Sequence, residues 1–470
     1  MPLTADVAEQ QIDVILEGGH VVAEDCSGVE VHDVWIQDGR IRAIGESGSW
    51  EVPAGVERRS VEGCTVAPGI VDGHVHISYL DAEFEEEQDL YLPLEYRAVI
   101  GASLAGRVLA AGVTTMVVPG TMGNIAVAVR DAILSGVVVG PRVIAAGRYL
   151  SPYSNYPSWI GNLVTENVVA VPDEASMRAE VYKQFLDRVD IIKILGSGEG
   201  STSHIPTFRE RDVALIVELA HLEGKPVFMH ARAGQAALAA ARSGVDVVLH
   251  ADYLDDSDLD EFAQHARFVS PVLTMAANTV DFGHLVGVPE SVRNFFKHRL
   301  EISAKVSQKL RERGVKLVAG TESGFSISPH GEWHTREGQL FVDLIGLSPL
   351  EALEASTQNV ADAVGIGAET GSISVGKHAD VLVVEGRVDL DFDVLGDISR
   401  RRCLFIRGRE VTTREIPERR RLSFERVRRM TVGQLTRAVS QTSSPEALAA
   451  ATARGSEELM EEGEEEELWR

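Results

Sequence analysis

The chain has 470 residues, 44% of them hydrophobic, and a formal net charge of −26 at pH 7. That length exceeds what a single hydrophobic core usually supports, so a large domain with a smaller companion is expected. The charge disfavours nucleic acid, whose phosphates it would repel. The longest apolar runs, such as Val137-Val138-Val139, are too short to span a bilayer, and Met1 to Gln10 has no apolar stretch of the secretory kind.

Residues 11–66 alternate short apolar runs with turns. Val34-Trp35-Ile36 and Ile41-Arg42-Ala43-Ile44 flank Asp38-Gly39, a strong hairpin signal. Residues 1–66 therefore read as the first part of a small antiparallel β unit. From residue 67 strands of four to six apolar residues alternate with amphipathic helices. The strands are the run Val66 to Val75, then Thr114 to Val118, Arg142 to Ala146, Ile191 to Leu195, Pro226 to His230, Val245 to His250, Phe268 to Thr274 and Val315 to Gly320. The helices are Asn124 to Ser135, Ala175 to Val189, Asp212 to Leu222, Gln235 to Ala241 and Ser291 to Arg313. Such alternation over residues 67–370 suits a (β/α)₈ TIM barrel. A last helix, Ser348 to Val364, opens on Ser348-Pro349, a good N-cap and N1 pair.

Residues 371–415 return to strand and turn chemistry. They are expected to rejoin residues 1–66, so that a small β-sandwich domain is built from both ends of the chain. Residues 416–470 read as a helical or partly disordered extension. Its acidic run, Glu457 to Glu467, is a solvated tail, and the basic stretch Arg400 to Arg429 a solvated face that pairs with it. Cys26, Cys64 and Cys403 are scattered and odd in number. No disulfide framework is implied, and a reducing cytoplasm is the expected setting.

The sharpest local feature is His74-Val75-His76. Residues i and i+2 of a strand point the same way, so both imidazoles would face the barrel interior, close enough to share one metal. Alone, the pair is compatible with chance. However, His230 and His250 end two further strands, Lys193 lies inside an apolar one, and Glu322 follows the last. All six sit where barrel enzymes carry their active sites. Lys193 needs an explanation of its own, because a buried ammonium is costly and cannot bind a cation. Either it pairs with Glu322 or another buried acid, or CO₂ carbamylates it to a carboxylate that bridges two metals.

Val66-Ala67-Pro68-Gly69-Ile70-Val71-Asp72-Gly73-His74-Val75-His76 resembles the signature of the metal-dependent amidohydrolase superfamily. Ala111 to Thr115, Gly140 to Val143, Ile192-Lys193-Ile194, Val227 to His230 and Val248 to His250 are similar to its imidazolonepropionase-like and prolidase-like branch, and Gly371 to Asp380 to its return to the β domain. The resemblance covers residues 11–415. It implies a binuclear divalent metal centre, usually zinc, inside the barrel. His74 and His76 would bind the buried metal, His230 and His250 the exposed one, and carbamylated Lys193 would bridge them. Glu322 would be a ligand of the buried metal and the general base. The family has Asp there, so this chain's Gly320-Thr321-Glu322 departs by one methylene, ~1.5 Å. Arg232 and Ala251 are further departures, the second at a position where Gly is common.

The implied activity is hydrolysis of a C–N bond in a small molecule, by a metal-bridging hydroxide, on a cyclic amide, an N-acyl amino acid or a dipeptide. Deamination, C–C hydrolysis or a dehydrating cyclisation on the same metals is the alternative, and a catalytically silent scaffold a weaker one. Substrate contacts are sought in loops after the strands. Candidates are Tyr149, Tyr153, Tyr156, Trp159 and His204, the aromatics being equally compatible with ordinary loop packing, and Arg232 is the best candidate for a substrate carboxylate, its alternative a structural ion pair. The loop from Gly324 to Thr335 is either a lid or a solvated connection, and Asp81 to Glu87 reads as a solvated helix face, with a pocket rim that favours cationic substrates as the alternative. Neither a nucleic-acid nor a membrane partner is expected, and a homo-oligomer is left open.

Overall fold

A computed structural model describes residues 3–8, 11–81, 92–153 and 167–415. Tyr156, Trp159, most of the acidic stretch after Asp81 and the 416–470 extension lie outside the described residues.

The chain begins with β1 (Leu3–Val7), β2 (Val14–Val22), β3 (Val29–Gln37), β4 (Arg40–Gly45), β5 (Glu57–Ser60) and β6 (Cys64–Pro68). The Asp38-Gly39 turn between β3 and β4 has φ of 50° and 77°, the left-handed pair of a type I′ hairpin. Next come β7 (Ile70–Asp72), β8 (Val113–Val118), β9 (Arg142–Ala145), β10 (Tyr149–Ser151), β11 (Val168–Ala170), β12 (Ile192–Leu195), β13 (Val227–Ala233), β14 (Val247–Tyr253), β15 (Phe268–Ser270) and β16 (Lys316–Leu317). The last three strands are β17 (Val381–Glu385), β18 (Arg401–Ile406) and β19 (Arg409–Glu415).

Both ends of the chain meet in one nine-stranded sheet, in the order β1-β19-β18-β17-β6-β2-β3-β4 with β5 beside β2. Val14, Leu16, Val34 and Ile36 from the first end bury with Val381, Val383 and Phe405 from the second. The predicted run Val66 to Val75 is thus two strands in two sheets. Pro68 has no N–H to donate. Gly69 donates to the Asp380 carbonyl (2.9 Å) and Ile70 to that of Gly112 (3.1 Å). Glycine is required at the crossing, because a Cβ there would stand 2.3 Å from Thr114 Cγ2.

β7, β8 and β9 form one parallel sheet; β11, β10 and β12 to β16 form another. Their strands are buried and rich in branched apolar residues, as parallel strands covered on both faces are. Contacts also run between the two sheets. Gly73 donates to the Ala319 carbonyl (2.8 Å), Val75 bridges Ser323, and Ala146 bridges Ile191.

The helices expected at 124–135, 175–189, 212–222, 235–241 and 291–313 are observed as Ile125–Leu134, Glu174–Leu186, Glu210–Leu222, Gly234–Arg242 and Glu290–Glu312. The single helix expected over 348–364 is instead Pro349–Ala355 and Gln358–Ala363. Ser348 caps it as predicted. The break follows from Ser356 and Thr357, whose hydroxyls donate back to the Ala352 (2.8 Å) and Leu353 (2.6 Å) carbonyls and compete with the helix ladder. The last barrel strand is also shorter than expected. From Ala319 its backbone turns to Ala355, and Glu322 N–H donates to the His74 carbonyl (2.8 Å). No helix among the described residues is long and apolar enough to cross a membrane. Cys26, Cys64 and Cys403 are buried free thiols.

Candidate metal centre

The strand ends decide which side chains meet. Val75 is fully buried; it donates to the Val117 carbonyl (2.9 Å) and bridges Ser323. That extended path puts His74 and His76 on one side, their Nε2 atoms 3.1 Å apart. Glu322 joins them: the ligand atoms of His74, His76 and Glu322 lie within 4.8 Å of one another, and Glu322 Oε1 is 3.9 Å from His76 Nε2.

Parallel register supplies the rest. Leu195 of β12 pairs with His230 of β13, and Ala231 with His250 of β14. The His230 and His250 rings are 4.6 Å apart, and His250 is 6.3 Å from His74. Lys193, buried in β12, stands close enough for its charge to act on all four histidines. His250, Ala251 and Glu322 hold φ of 75°, 56° and 56°, a region that residues with a Cβ rarely enter and that clusters at functional sites.

Burial sets the protonation states. It lowers His74 and His250 well below the ordinary imidazole range and His230 to about 3. His76 is also lowered by burial, with Glu322 acting against it. All four are therefore neutral at pH 7, the state in which an imidazole binds a metal. Burial likewise pushes Lys193 down to about 7, with Glu322 opposing. His74 Nδ1, both ring nitrogens of His250 and Glu322 Oε2 are buried without a hydrogen-bond partner among the described residues. Orphaned acceptors beside neutral imidazoles fit divalent cations.

The surroundings contain residues that the sequence did not reveal. The Asp72 carboxylate accepts from the backbone N–H groups of His74 and Thr321 (both 3.1 Å), the Thr321 hydroxyl (2.6 Å) and His334 Nδ1 (2.7 Å). It ties the two strand ends that carry the histidine pair and Glu322. Its signal lay inside Asp72-Gly73-His74; nothing local marked His334. The loop holding His334 is not a solvated connection, for His330, Trp333 and His334 are all buried. The side chain of Asp81, read as solvated, is enclosed, at 3% exposure. Its carboxylate pairs with His330 and with Arg107 (3.5 Å), and the His330 backbone N–H donates to it as well (2.8 Å).

The candidate substrate contacts divide. The Tyr149 hydroxyl is 3.2 Å from His76 Nδ1, inside the site. Arg232 is buried, with Nε donating to Glu199 (2.5 Å) and Nη1 to Asp252 (2.5 Å). Glu199 also meets Arg299 (2.7 Å) and His230 Nε2 (3.4 Å). The guanidinium thus takes the structural ion-pair arrangement, with two carboxylates of the chain itself. Tyr153 and His204 are exposed, and among the described residues no hydrogen bond, ion pair or ring contact joins either to the histidines.

Residues 65–411 match the Amidohydrolase family. The chain belongs to that family. The resemblance read from residues 66–76 and the later strands is borne out. The chain is 24% identical to the ochratoxinase of Aspergillus niger over 280 residues, 55% of this chain and 57% of that protein, so it spans just over half of that relative. It is 24% identical to the imidazolonepropionase of Chromobacterium violaceum over 392 residues, 76% of this chain and 85% of the other. Among solved structures, a Xaa-Pro dipeptidase with methionine in its active site matches with a TM-score of 0.74 at 24% identity, covering 85% of this chain and 99% of that one. The A. niger ochratoxinase structure matches with a TM-score of 0.72 at 20% identity, covering 86% and 96%. That likeness gives the fold of this amidohydrolase, a TIM barrel with an additional domain.

Proposed function

We propose that this amidohydrolase is a cytoplasmic, metal-dependent hydrolase of C–N bonds in small molecules: a cyclic amide, an N-acyl amino acid or a dipeptide. Strands β7, β8, β9 and β12 to β16 form its (β/α)₈ barrel, and the nine-stranded sheet is its β-sandwich domain. The observation that carries the reading is the set of neutral, buried imidazoles and the unpartnered Glu322 oxygen gathered around Lys193. His74, His76 and Glu322 would hold one divalent ion, His230 and His250 a second, with Lys193 between them; zinc suits this nitrogen and oxygen donor set.

Bound there, the ions would supply Lewis acidity and lower the pKa of water. The chain's own residues do the remainder. With its ammonium pushed down to about 7, Lys193 offers a large fraction of free amine at neutral pH. That amine forms an N–C bond to CO₂ and loses a proton, giving the carbamate. Glu322 takes the proton of the attacking water and delivers it to the leaving nitrogen.

The test is metal content per chain after purification with bicarbonate, in wild type and Lys193→Ala. Two divalent ions in wild type, falling in the variant, are expected. One ion unaffected by the substitution would replace this reading with a mononuclear, deaminase-like site. No ion would sink it.

A further inference from the structure

Resting on the metal-centre reading above, we infer that Tyr149 is a positioning residue: it fixes the tautomer of His76 so that Nε2 is left bare toward the centre. The Tyr149 hydroxyl oxygen is 3.2 Å from His76 Nδ1, 3.4 Å from the Gly120 carbonyl oxygen and 3.0 Å from the Tyr79 hydroxyl. A carbonyl oxygen can only accept, and the one arrangement that satisfies all three neighbours at once gives the Tyr149 proton to Gly120 and has Tyr149 accept from both Tyr79 and His76. The phenol oxygen then accepts from His76, which must carry its proton on Nδ1. In a neutral imidazole that leaves the lone pair on Nε2, the atom facing His74 Nε2 at 3.1 Å and Glu322 Oε1 at 3.9 Å.

The ring is held as well as the proton. Tyr79 stacks on His76 with centroids 4.4 Å apart and planes within 9°, and in this arrangement its hydroxyl is the second donor to Tyr149. Gly120 is what lets the phenol in: a Cβ there would stand 1.7 Å from Tyr149 Cε1. Tyr149 itself is held in β10 by parallel pairing with Val168. His74 Nδ1 and both nitrogens of His250 have no such partner among the described residues. His76 is therefore a ligand whose tautomer the protein sets before any metal arrives. Tyr149, placed among the substrate contacts by its loop position, acts through His76.

Nitrogen-15 NMR of histidine-labelled, metal-free protein tests this, with the His76 signals assigned by their absence in His76→Gln. The proton is expected on Nδ1 in wild type and distributed between both nitrogens in Tyr149→Phe. The zinc dissociation constant of Tyr149→Phe, measured against a chelator, is expected to rise roughly 10- to 100-fold, as for lost hydrogen bonds behind metal ligands. Tyr149→Phe with zinc affinity within about twofold of wild type and an unchanged tautomer overturns the inference. So does His76 protonated on Nε2 in wild type, a result that needs no variant to fold. Wild type that takes up no zinc defeats the proposed function, while the tautomer still decides the role of Tyr149.

Discussion

The two ends of the barrel strands treat their polar groups in opposite ways. At the N-terminal ends the acids are satisfied. Asp190 accepts from Arg130 (2.7 Å) and the Ala145 N–H (2.9 Å). Asp246 accepts from His221 (2.8 Å), the Val227 N–H (2.9 Å) and Arg267 (2.7 Å). Asp380, which precedes β17 of the nine-stranded sheet, takes Arg142 at the start of β9 (3.0 Å), Thr370 (2.7 Å) and the Arg407 N–H (2.7 Å). At the C-terminal ends His74, His250 and Glu322 keep buried atoms without partners, and the backbone at His250, Ala251 and Glu322 is left-handed. Unsatisfied buried groups cost stability, and four such atoms gathered on His74, His250 and Glu322 call for a reason other than packing. One end of the barrel is built to hold the fold, and the other to receive a ligand.

If that division is right, substitutions at the two ends fail in different assays. The largest effect is expected for Glu322→Gln. Loss of the proton carrier should lower turnover of an amide substrate by roughly 10²- to 10⁴-fold, with metal content per chain retained. Near wild-type turnover would remove Glu322 from the chemistry and erase the distinction. At the opposite end, Asp380→Ala strands Arg142 in a buried position. A buried pair broken on one side costs about 3–5 kcal/mol, read from urea unfolding, while the folded fraction keeps its metal. A variant that loses metal without losing stability would show that the ends are not separate.

Much of the site was legible because strand chemistry is local. The i, i+2 spacing of His74 and His76, and histidines in successive apolar strands, announce a common face before any register is known. The Asp-Gly hairpin and the barrel helices were legible for the same reason. What escaped depends on distance along the chain. Asp72 meets His334 across 262 positions, and Asp81 meets His330 across 249, so no local pattern links them. Arg232 looked available for a substrate because Glu199 and Asp252 are 33 and 20 residues away. The unbroken apolar run through Gly69 hid a change of sheet, since hydrophobicity alone does not say which neighbour a strand buries against.

A smaller effect sharpens the cost of the ligand-receiving end. In metal-free protein and CO₂-free buffer, Lys193 has a pKa near 7 folded against 10.5 ordinarily. Between those values the unfolded chain binds more protons, so stability rises with pH from 7 to 10.5. Lys193→Met should remove that slope and stabilise the metal-free protein at pH 7 by on the order of a few kcal/mol. Urea midpoints at pH 7 and 9 measure it; a slope that survives in the variant places the burial cost elsewhere.

The smallest effect concerns the backbone. Ala251 holds φ of 56° and is fully buried, whereas Ala231, its equally buried neighbour on β13, has no positive φ. Ala→Gly at either site loses one methyl, about 0.8 kcal/mol, and adds chain entropy to the unfolded state, about 0.5–1 kcal/mol. Only at residue 251 does glycine also relieve left-handed strain, about 1–2 kcal/mol. Ala231→Gly should therefore destabilise by roughly 1.5 kcal/mol, and Ala251→Gly should leave stability within about 1 kcal/mol of wild type. The difference between the two variants, taken from paired urea curves, is the strain stored beside His250. Equal losses at both positions would mean that the left-handed turn is relaxed in its surroundings, and that the ligand-receiving end differs from the other in its unpaired side chains alone.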